Sequence, residues 1–220
     1  MKKIILQSIF TLFVLFIQTT SNAQAVTGNY CPAYLQTQTQ WCWAASSQMV
    51  YWCYKPGSIT QCDAANKSKT LEMNTGCGQL ANSATSACAN PALYNNPQAM
   101  YGCAGSLQSI LSSYAIASTS TASFISSASL TTATNARKLL IARWGWNPIP
   151  TGGGHFVVIN RYKAGYVYYN NPLTGAATLT YNSFKTANGA GSWTHTLTMN
   201  SAALYGGALY RESGSTPKVV

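Results

Sequence analysis

Acidic residues are nearly absent from this 220-residue chain. Three are present, Asp63, Glu72 and Glu212, against thirteen lysines and arginines. A glycosidase of the usual kind needs a pair of carboxylates, and magnesium and calcium sites draw on the same oxygen ligands. The sequence does not indicate a zinc site either, because the chain has no C-x-x-C and its two histidines stand far apart. We therefore expect no metal and no cofactor.

Long apolar runs are also scarce, and the one at the start has a specific meaning. Met1-Lys2-Lys3 precedes an apolar run over 4–17, and Ala23-Gln24-Ala25 supplies a small-x-small cleavage pattern. This combination is typical of a secretory signal peptide, and the run is too short to span a bilayer as a stable helix. We expect residues 1–25 to be removed near Ala25. Residues 26–220 would then form one secreted domain, periplasmic or extracellular, without a transmembrane segment.

The balance of charge limits the partners. Without Lys2 and Lys3, eleven basic residues face three acidic ones, a net charge of +8. Such a surface favours adsorption to anionic partners such as a cell envelope. The basic residues are scattered, with no run longer than Arg137-Lys138, so we do not interpret them as a nucleic-acid-binding motif.

The cysteines are odd in number and confined to the first half of the chain. The seven are Cys31, Cys42, Cys53, Cys62, Cys77, Cys88 and Cys103. In a secreted chain the economical interpretation is three disulfides and one free thiol. Cys42 is the candidate for the free thiol because it alone lies between two tryptophans at a helix start. The other six can pair in fifteen ways, and the sequence does not choose among them; pairing of the odd cysteine between two chains is the alternative.

The stretch over 36–50, QTQTQWCWAASSQMV, has the features of a nucleophilic site. Apolar spacing after Cys42 predicts a helix to about Tyr54, and a thiol at a helix N-terminus is favoured as thiolate. Gln36, six residues earlier, can donate a hydrogen bond to a developing oxyanion, although Gln38 competes for that role. The competing interpretation is a core helix with a buried free cysteine.

The second half of the chain predicts antiparallel strands. HFVVINR over 155–161 and a partner over 166–169 form a hairpin across Lys163-Ala164-Gly165. Segments 139–144, 179–181 and 193–199 are further strand candidates, and the low-charge stretch 115–134 is either a linker or a packed segment. A helical, cross-linked first half followed by a sheet indicates an α+β fold with a seam between two lobes.

A thiolate nucleophile needs a base and a group that orients the base. His155 follows three glycines at a strand start, and Asn171 ends the next strand of the same hairpin. The two side chains are therefore expected to lie close together, with the asparagine oxygen accepting the N–H of the histidine. His195 is the competing base, but it has neither a glycine approach nor a following asparagine.

The order Gln36, Cys42, His155, Asn171 resembles that of the papain-like cysteine peptidases. The stretch over 36–50 and GGGHFVVINRYKAGYVYYNNP over 152–172 are similar to the bacterial branch that includes AvrRpt2-like and C39-like peptidases. The resemblance implies a papain-like two-lobed domain. It also implies that Gln36 and the backbone N–H of Cys42 form the oxyanion hole, that Cys42 attacks, that His155 moves the proton and that Asn171 orients His155.

These features predict a secreted cysteine endopeptidase that acts on protein or peptide substrates through an acyl-thioester. The same residues could serve a cell-wall peptide amidase or a protein-glutamine deamidase or transglutaminase. A catalytically inactive binding domain is a further alternative of a different class.

Overall fold

The computed structural model describes residues 31–75, 77, 84–149 and 153–204, and the predicted signal peptide lies outside these ranges. Within them the chain forms five α-helices and six β-strands. The helices are α1 Cys42–Tyr54, α2 Gln61–Thr75, α3 Leu107–Ser113, α4 Ser127–Asn135 and α5 Tyr181–Lys185. The strands are β1 Ser118–Thr121, β2 Leu140–Trp146, β3 Gly154–Lys163, β4 Tyr166–Asn171, β5 Gly175–Thr180 and β6 Gly191–Met199.

All six strands belong to one sheet, in the order β1-β6-β2-β3-β4-β5. Every neighbouring pair is antiparallel. The β3–β4 hairpin turns at Ala164 and Gly165, whose φ angles of 50° and 85° are typical of a two-residue hairpin turn. The predicted α+β fold, with a helical first half and an antiparallel sheet in the second, is confirmed.

The sheet is buried on both faces. Successive residues of a strand point to opposite sides, and along β3 Phe156 and Val158 pack with α1, α2 and α3, whereas Val157 and Ile159 pack on the other side. That second side is covered by Leu130 of α4 and by α5. This two-sided burial explains why β3 is an almost unbroken run of apolar residues.

Three disulfides staple the helical half, and they join Cys31 to Cys53, Cys62 to Cys88 and Cys77 to Cys103. Within the described part of the chain Cys42 is the one free cysteine, and it is buried. The structure thus shows which of the fifteen possible pairings of six cysteines is formed. The thiol that remains unpaired is that of Cys42, the residue that the sequence had singled out. A buried thiol is poorly placed for a disulfide between two chains.

The stretch 115–134, which the sequence left open between a linker and a packed segment, is structured. It contains β1 at the edge of the sheet and α4, which begins after Ser126. The Ser126 hydroxyl accepts a hydrogen bond from the backbone N–H of Ser129, as an N-cap does. In the described ranges, none of the helices has both the length and the apolar character needed to cross a membrane.

Candidate active site

Two buried tryptophans fix the beginning of α1. The indole N–H of Trp41 donates to the carbonyl of Tyr94 at 2.7 Å, and that of Trp43 donates to the carbonyl of Asn96 at 3.0 Å. Trp41 is the N-cap and makes no side-chain cap hydrogen bond, so no capping side chain takes up the first backbone N–H groups of the helix. The residue between the two tryptophans, Cys42, is therefore held rigidly at the positive end of the helix dipole.

The surroundings of the Cys42 thiol affect its pKa in opposite directions. Burial raises its pKa to about 11, although the backbone N–H groups of Phe156, Trp43 and Cys42 and the charge of Arg143 pull in the opposite direction. The group is thus a protonated thiol at neutral pH in the free protein. It becomes a nucleophile only if a neighbouring base removes its proton.

His155 and Asn171 are brought together by the β3–β4 hairpin. The Nε2 atom of His155 lies 2.7 Å from Oδ1 of Asn171, and the same oxygen accepts the backbone N–H of Leu173 at 2.9 Å. An amide oxygen accepts hydrogen bonds, so Nε2 of His155 carries the hydrogen and Nδ1 holds the free lone pair. Burial lowers the pKa of His155, while the hydrogen bond to Asn171 raises it.

The helix and the hairpin meet next to His155. Helix α1 packs against β3, and the backbone N–H of Phe156, the residue after His155, stabilises the thiolate of Cys42. The nucleophile candidate and the base candidate therefore lie on neighbouring elements at the seam between the helical and sheet layers.

Aromatic rings cover the base candidate. The indole of Trp146 is stacked on the imidazole of His155, with ring centroids 6.1 Å apart and an interplanar angle of 15°. Trp144, which lies opposite His155 across the β2–β3 ladder, is at 6.4 Å. The sequence analysis did not predict these contacts. They depend on the register between β2 and β3, and no local sequence motif indicates that register.

Gln36 also lies at this seam. Its backbone N–H donates to the carbonyl of Pro172, the residue after Asn171, at 2.8 Å. Its side-chain nitrogen donates to the carbonyls of Gln38 at 2.9 Å and Thr39 at 2.7 Å. The amide is thus turned towards the loop before Cys42, and within the described residues its buried oxygen has no partner.

Two buried amides that the sequence analysis missed hold the segment around Gln36. Asn170 donates to the carbonyl of Cys31 at 2.8 Å. Gln61 of α2 donates to the carbonyl of Leu35 at 2.7 Å and accepts the backbone N–H of Thr37 at 2.9 Å. In the sequence both residues look like ordinary polar residues. Only the tertiary packing shows that they hold the segment that carries Gln36.

His195, the competing base, lies elsewhere. It pairs with Arg143 across the β2–β6 ladder, and its Nδ1 lies 2.9 Å from the hydroxyl of Thr194. Burial and the charge of Arg143 lower its pKa. The structure brings it to Arg143 and Tyr101 and does not bring it to Asn171.

One group of metal-ligating side chains occurs in the described ranges: Cys62, Asp63 and Cys88. The sulfur atoms of Cys62 and Cys88 are bonded to each other. A metal needs thiolates, so this group does not fit one.

A thiol at a helix start, a histidine–asparagine pair on an antiparallel sheet and a glutamine ahead of the thiol together define a papain-like cysteine peptidase. The chain belongs to the Peptidase_C39-like family, whose model matches residues 29–199. The prediction of a papain-like cysteine peptidase of the C39-like branch is confirmed, and the protein is a cysteine peptidase.

Two solved structures align with most of the chain, and one of them, with a TM-score above 0.5, has a similar fold. A C39-like peptidase from Bacillus anthracis is 13% identical with a TM-score of 0.52, and the match covers 80% of this chain and 98% of that one. A double glycine motif protease from an AMS/PCAT transporter, solved with its leader peptide, is 16% identical with a TM-score of 0.44 over 79% of this chain and 94% of its own. No curated protein sequence matched the chain.

Proposed function

We propose that this protein is a secreted endopeptidase in which Cys42, His155 and Asn171 form a catalytic triad and Gln36 contributes to the oxyanion hole. The observation that carries the proposal is the 2.7 Å contact between Nε2 of His155 and Oδ1 of Asn171. This contact leaves Nδ1 of the imidazole as the proton acceptor, on a strand that packs against the helix that begins with the free thiol of Cys42.

The reaction follows from these positions. Nδ1 of His155 takes the proton of Cys42 as the sulfur attacks the peptide carbonyl carbon. The oxyanion receives the backbone N–H of Cys42 and one N–H of Gln36, which rotates away from the carbonyls of Gln38 and Thr39. The imidazolium then protonates the leaving amine, and water hydrolyses the thioester with His155 again as base.

Three disulfides support a place in an oxidising compartment, since such bonds are rare in cytosolic proteins. We propose that residues 1–25 are the signal peptide and that residues 26–220 form the secreted peptidase domain. Within the C39-like family we place the chain near the AvrRpt2-like peptidases. The net charge of +8 without the two N-terminal lysines favours a peptide amidase of the anionic cell wall as the second candidate.

Substitution of the triad tests the proposal. We expect Cys42→Ala to abolish hydrolysis of a denatured, fluorescently labelled protein, and His155→Ala to lower it by roughly 100- to 10,000-fold, the contribution of a general base. His195→Ala is the matched histidine control and should retain hydrolysis. Near-ultraviolet circular dichroism of each variant checks that the fold is kept.

Each alternative has its own outcome in this assay. An equal loss in His195→Ala and His155→Ala contradicts the choice of base. Release of cell-wall peptides without digestion of the denatured protein identifies the amidase, and release of ammonia from protein glutamine identifies the deamidase. A single adduct of the epoxide inhibitor E-64 at Cys42, found by intact mass without reductant, supports an accessible and activated thiol.

A further inference from the structure

Arg143 has a position that the triad does not explain. On β2 it lies opposite Phe156 of β3 and His195 of β6. Directly opposed residues of antiparallel strands share a face of the sheet, and Phe156 packs in the core beneath α1. Arg143 therefore lies on the side of the sheet that carries Cys42, one strand away from the residue next to His155.

The guanidinium group of Arg143 is held from two sides. Its Nη1 atom donates to the hydroxyl of Thr194 at 3.1 Å, and its Nη2 atom donates to the carbonyl of Gly153 at 3.2 Å. The β2–β6 register shifts just after Arg143, which leaves Thr194 as the extra residue of a bulge. A Cβ on Gly154 would lie only 2.8 Å from Cζ of Arg143, so the glycine before His155 permits this close approach.

The charge of Arg143 has no counter-ion in the part of the chain that the structure describes. Asp63 accepts hydrogen bonds from Thr60, and Glu72 accepts one from Gln98. The hydrogen bonds to Thr194 and Gly153 both end on uncharged oxygens. A guanidinium carries five N–H donors in a planar fork that matches a carboxylate, so donors remain for a ligand. Its charge also acts on the Cys42 thiol, which places it within electrostatic range of the reacting atoms.

We propose that Arg143 is a specificity-determining residue that binds a carboxylate of the substrate close to the scissile bond. The inference rests on the proposed peptidase function. The partner is a peptide with an acidic side chain or a free terminal carboxylate near the cleaved bond. Thr194 and the carbonyl of Gly153 orient the guanidinium. Burial and the charge of Arg143 lower the pKa of the neighbouring His195, which disfavours a second positive charge there.

Matched substrates test this role. A set of fluorogenic peptides carries Glu or the isosteric Gln at one position at a time on either side of the cleaved bond, with a free acid or an amide at the end. We expect the native protein to prefer Glu at one position by about tenfold or more in kcat/KM, the effect of one charge-assisted hydrogen bond. Arg143→Gln should reduce that preference to within about twofold, and Arg143→Lys should keep part of it.

The second measurement does not need turnover. Peptidyl acyloxymethyl ketones with Glu or Gln at the positions before the cleaved bond label Cys42, and intact mass gives the labelling rate. Equal kcat/KM for Glu and Gln at every position and for the free acid and the amide in the native protein, or the same proportional loss for every peptide in Arg143→Gln, overturn the specificity role. A Glu preference in labelling with no hydrolysis of any peptide refutes the endopeptidase proposal but keeps the subsite. A preference for the free acid over the amide, without a side-chain effect, identifies a terminal carboxylate as the group that is bound.

Discussion

Asn171 determines which nitrogen of His155 carries the hydrogen and which keeps a free lone pair. Its oxygen is fixed by the backbone N–H of Leu173 and by Nε2 of His155. His155 is almost fully buried. An uncharged partner such as Asn171 orients the imidazole there but stabilises the imidazolium only modestly. Burial consequently dominates, and the pKa of His155 falls below its usual value of about 6.5.

The first prediction concerns pH. In the proposed mechanism hydrolysis requires the neutral form of His155, so activity should be lost on acidification with a midpoint below pH 6.5. Asn171→Ala removes the hydrogen bond that raises the pKa of His155, so its midpoint should shift lower, with a plateau reduced by roughly tenfold or more. The measurement is the pH profile of kcat/KM on one peptide.

The matched variant is Asn171→Asp, which places a negative charge beside His155. A negative charge favours the imidazolium, so this midpoint should rise above that of the native protein. Shifts of both variants in the same direction would show that Asn171 does not act on His155 through this hydrogen bond.

At the scale of elements, α1 is positioned from both ends. Trp41 and Trp43 hold its first turn, and the Cys31–Cys53 disulfide ties its last turn to the segment that leads to Gln36. The carbonyl of Cys31 also accepts a hydrogen bond from Asn170, next to Asn171. This one disulfide therefore connects the helix of the proposed nucleophile to the strand of the proposed orienting residue.

Removal of that disulfide should affect catalysis as well as stability. Cys31→Ala/Cys53→Ala opens a loop of 22 residues and is expected to lower the free energy of unfolding by about 3 kcal/mol. Urea unfolding without reductant and hydrolysis at 25 °C are the measurements.

The control is Cys62→Ala/Cys88→Ala, which opens a loop of 26 residues in α2 and its neighbourhood. It should cost a similar amount of stability but retain more activity, since it does not contact β4. Equal activity in the two double variants would show that the Cys31–Cys53 bond acts on stability alone.

Helices and strands that depend on neighbouring residues could be predicted from the sequence, and those that depend on distant partners could not. Helix α1 spans 42–54 as expected, and the β3–β4 hairpin forms around the expected turn. Strand β1 has the polar sequence STST, and it is a strand because it pairs with β6. The residues of β1 pair with residues that lie between 75 (Thr121 with Thr196) and 81 (Ser118 with Met199) positions later in the chain. Such a distant partner leaves no local pattern, so this strand and α4 could not be predicted from the sequence.

At the scale of the whole molecule, charge is the dominant feature. The chain carries a formal net charge of +10, with only three acidic residues. A field of one sign attracts anionic substrates over distances that extend to about one Debye length, roughly 10 Å at 0.1 M salt.

Steering of this kind predicts a dependence on salt. The kcat/KM for an acidic unfolded substrate should fall several-fold between about 0.05 M and 0.5 M sodium chloride, because screening removes the long-range attraction. A neutral substrate of the same length is the control and should change little. The salt slope should persist in Arg143→Gln, since many other charges contribute to the field; its disappearance would assign the whole effect to that one residue.

The sequence by itself determined the chemical inventory and the local order: an odd number of cysteines with one of them at a helix start, a histidine and an asparagine at the facing ends of one hairpin, and a glutamine six residues before that cysteine. These signals are local, because caps, turns and strand periods are set by neighbouring residues. Only the tertiary structure decided the disulfide pairing, the stacking of Trp146 on His155 and the place of Arg143. Each of these depends on strand register or on the packing of distant segments, which bring together residues that lie far apart in the sequence.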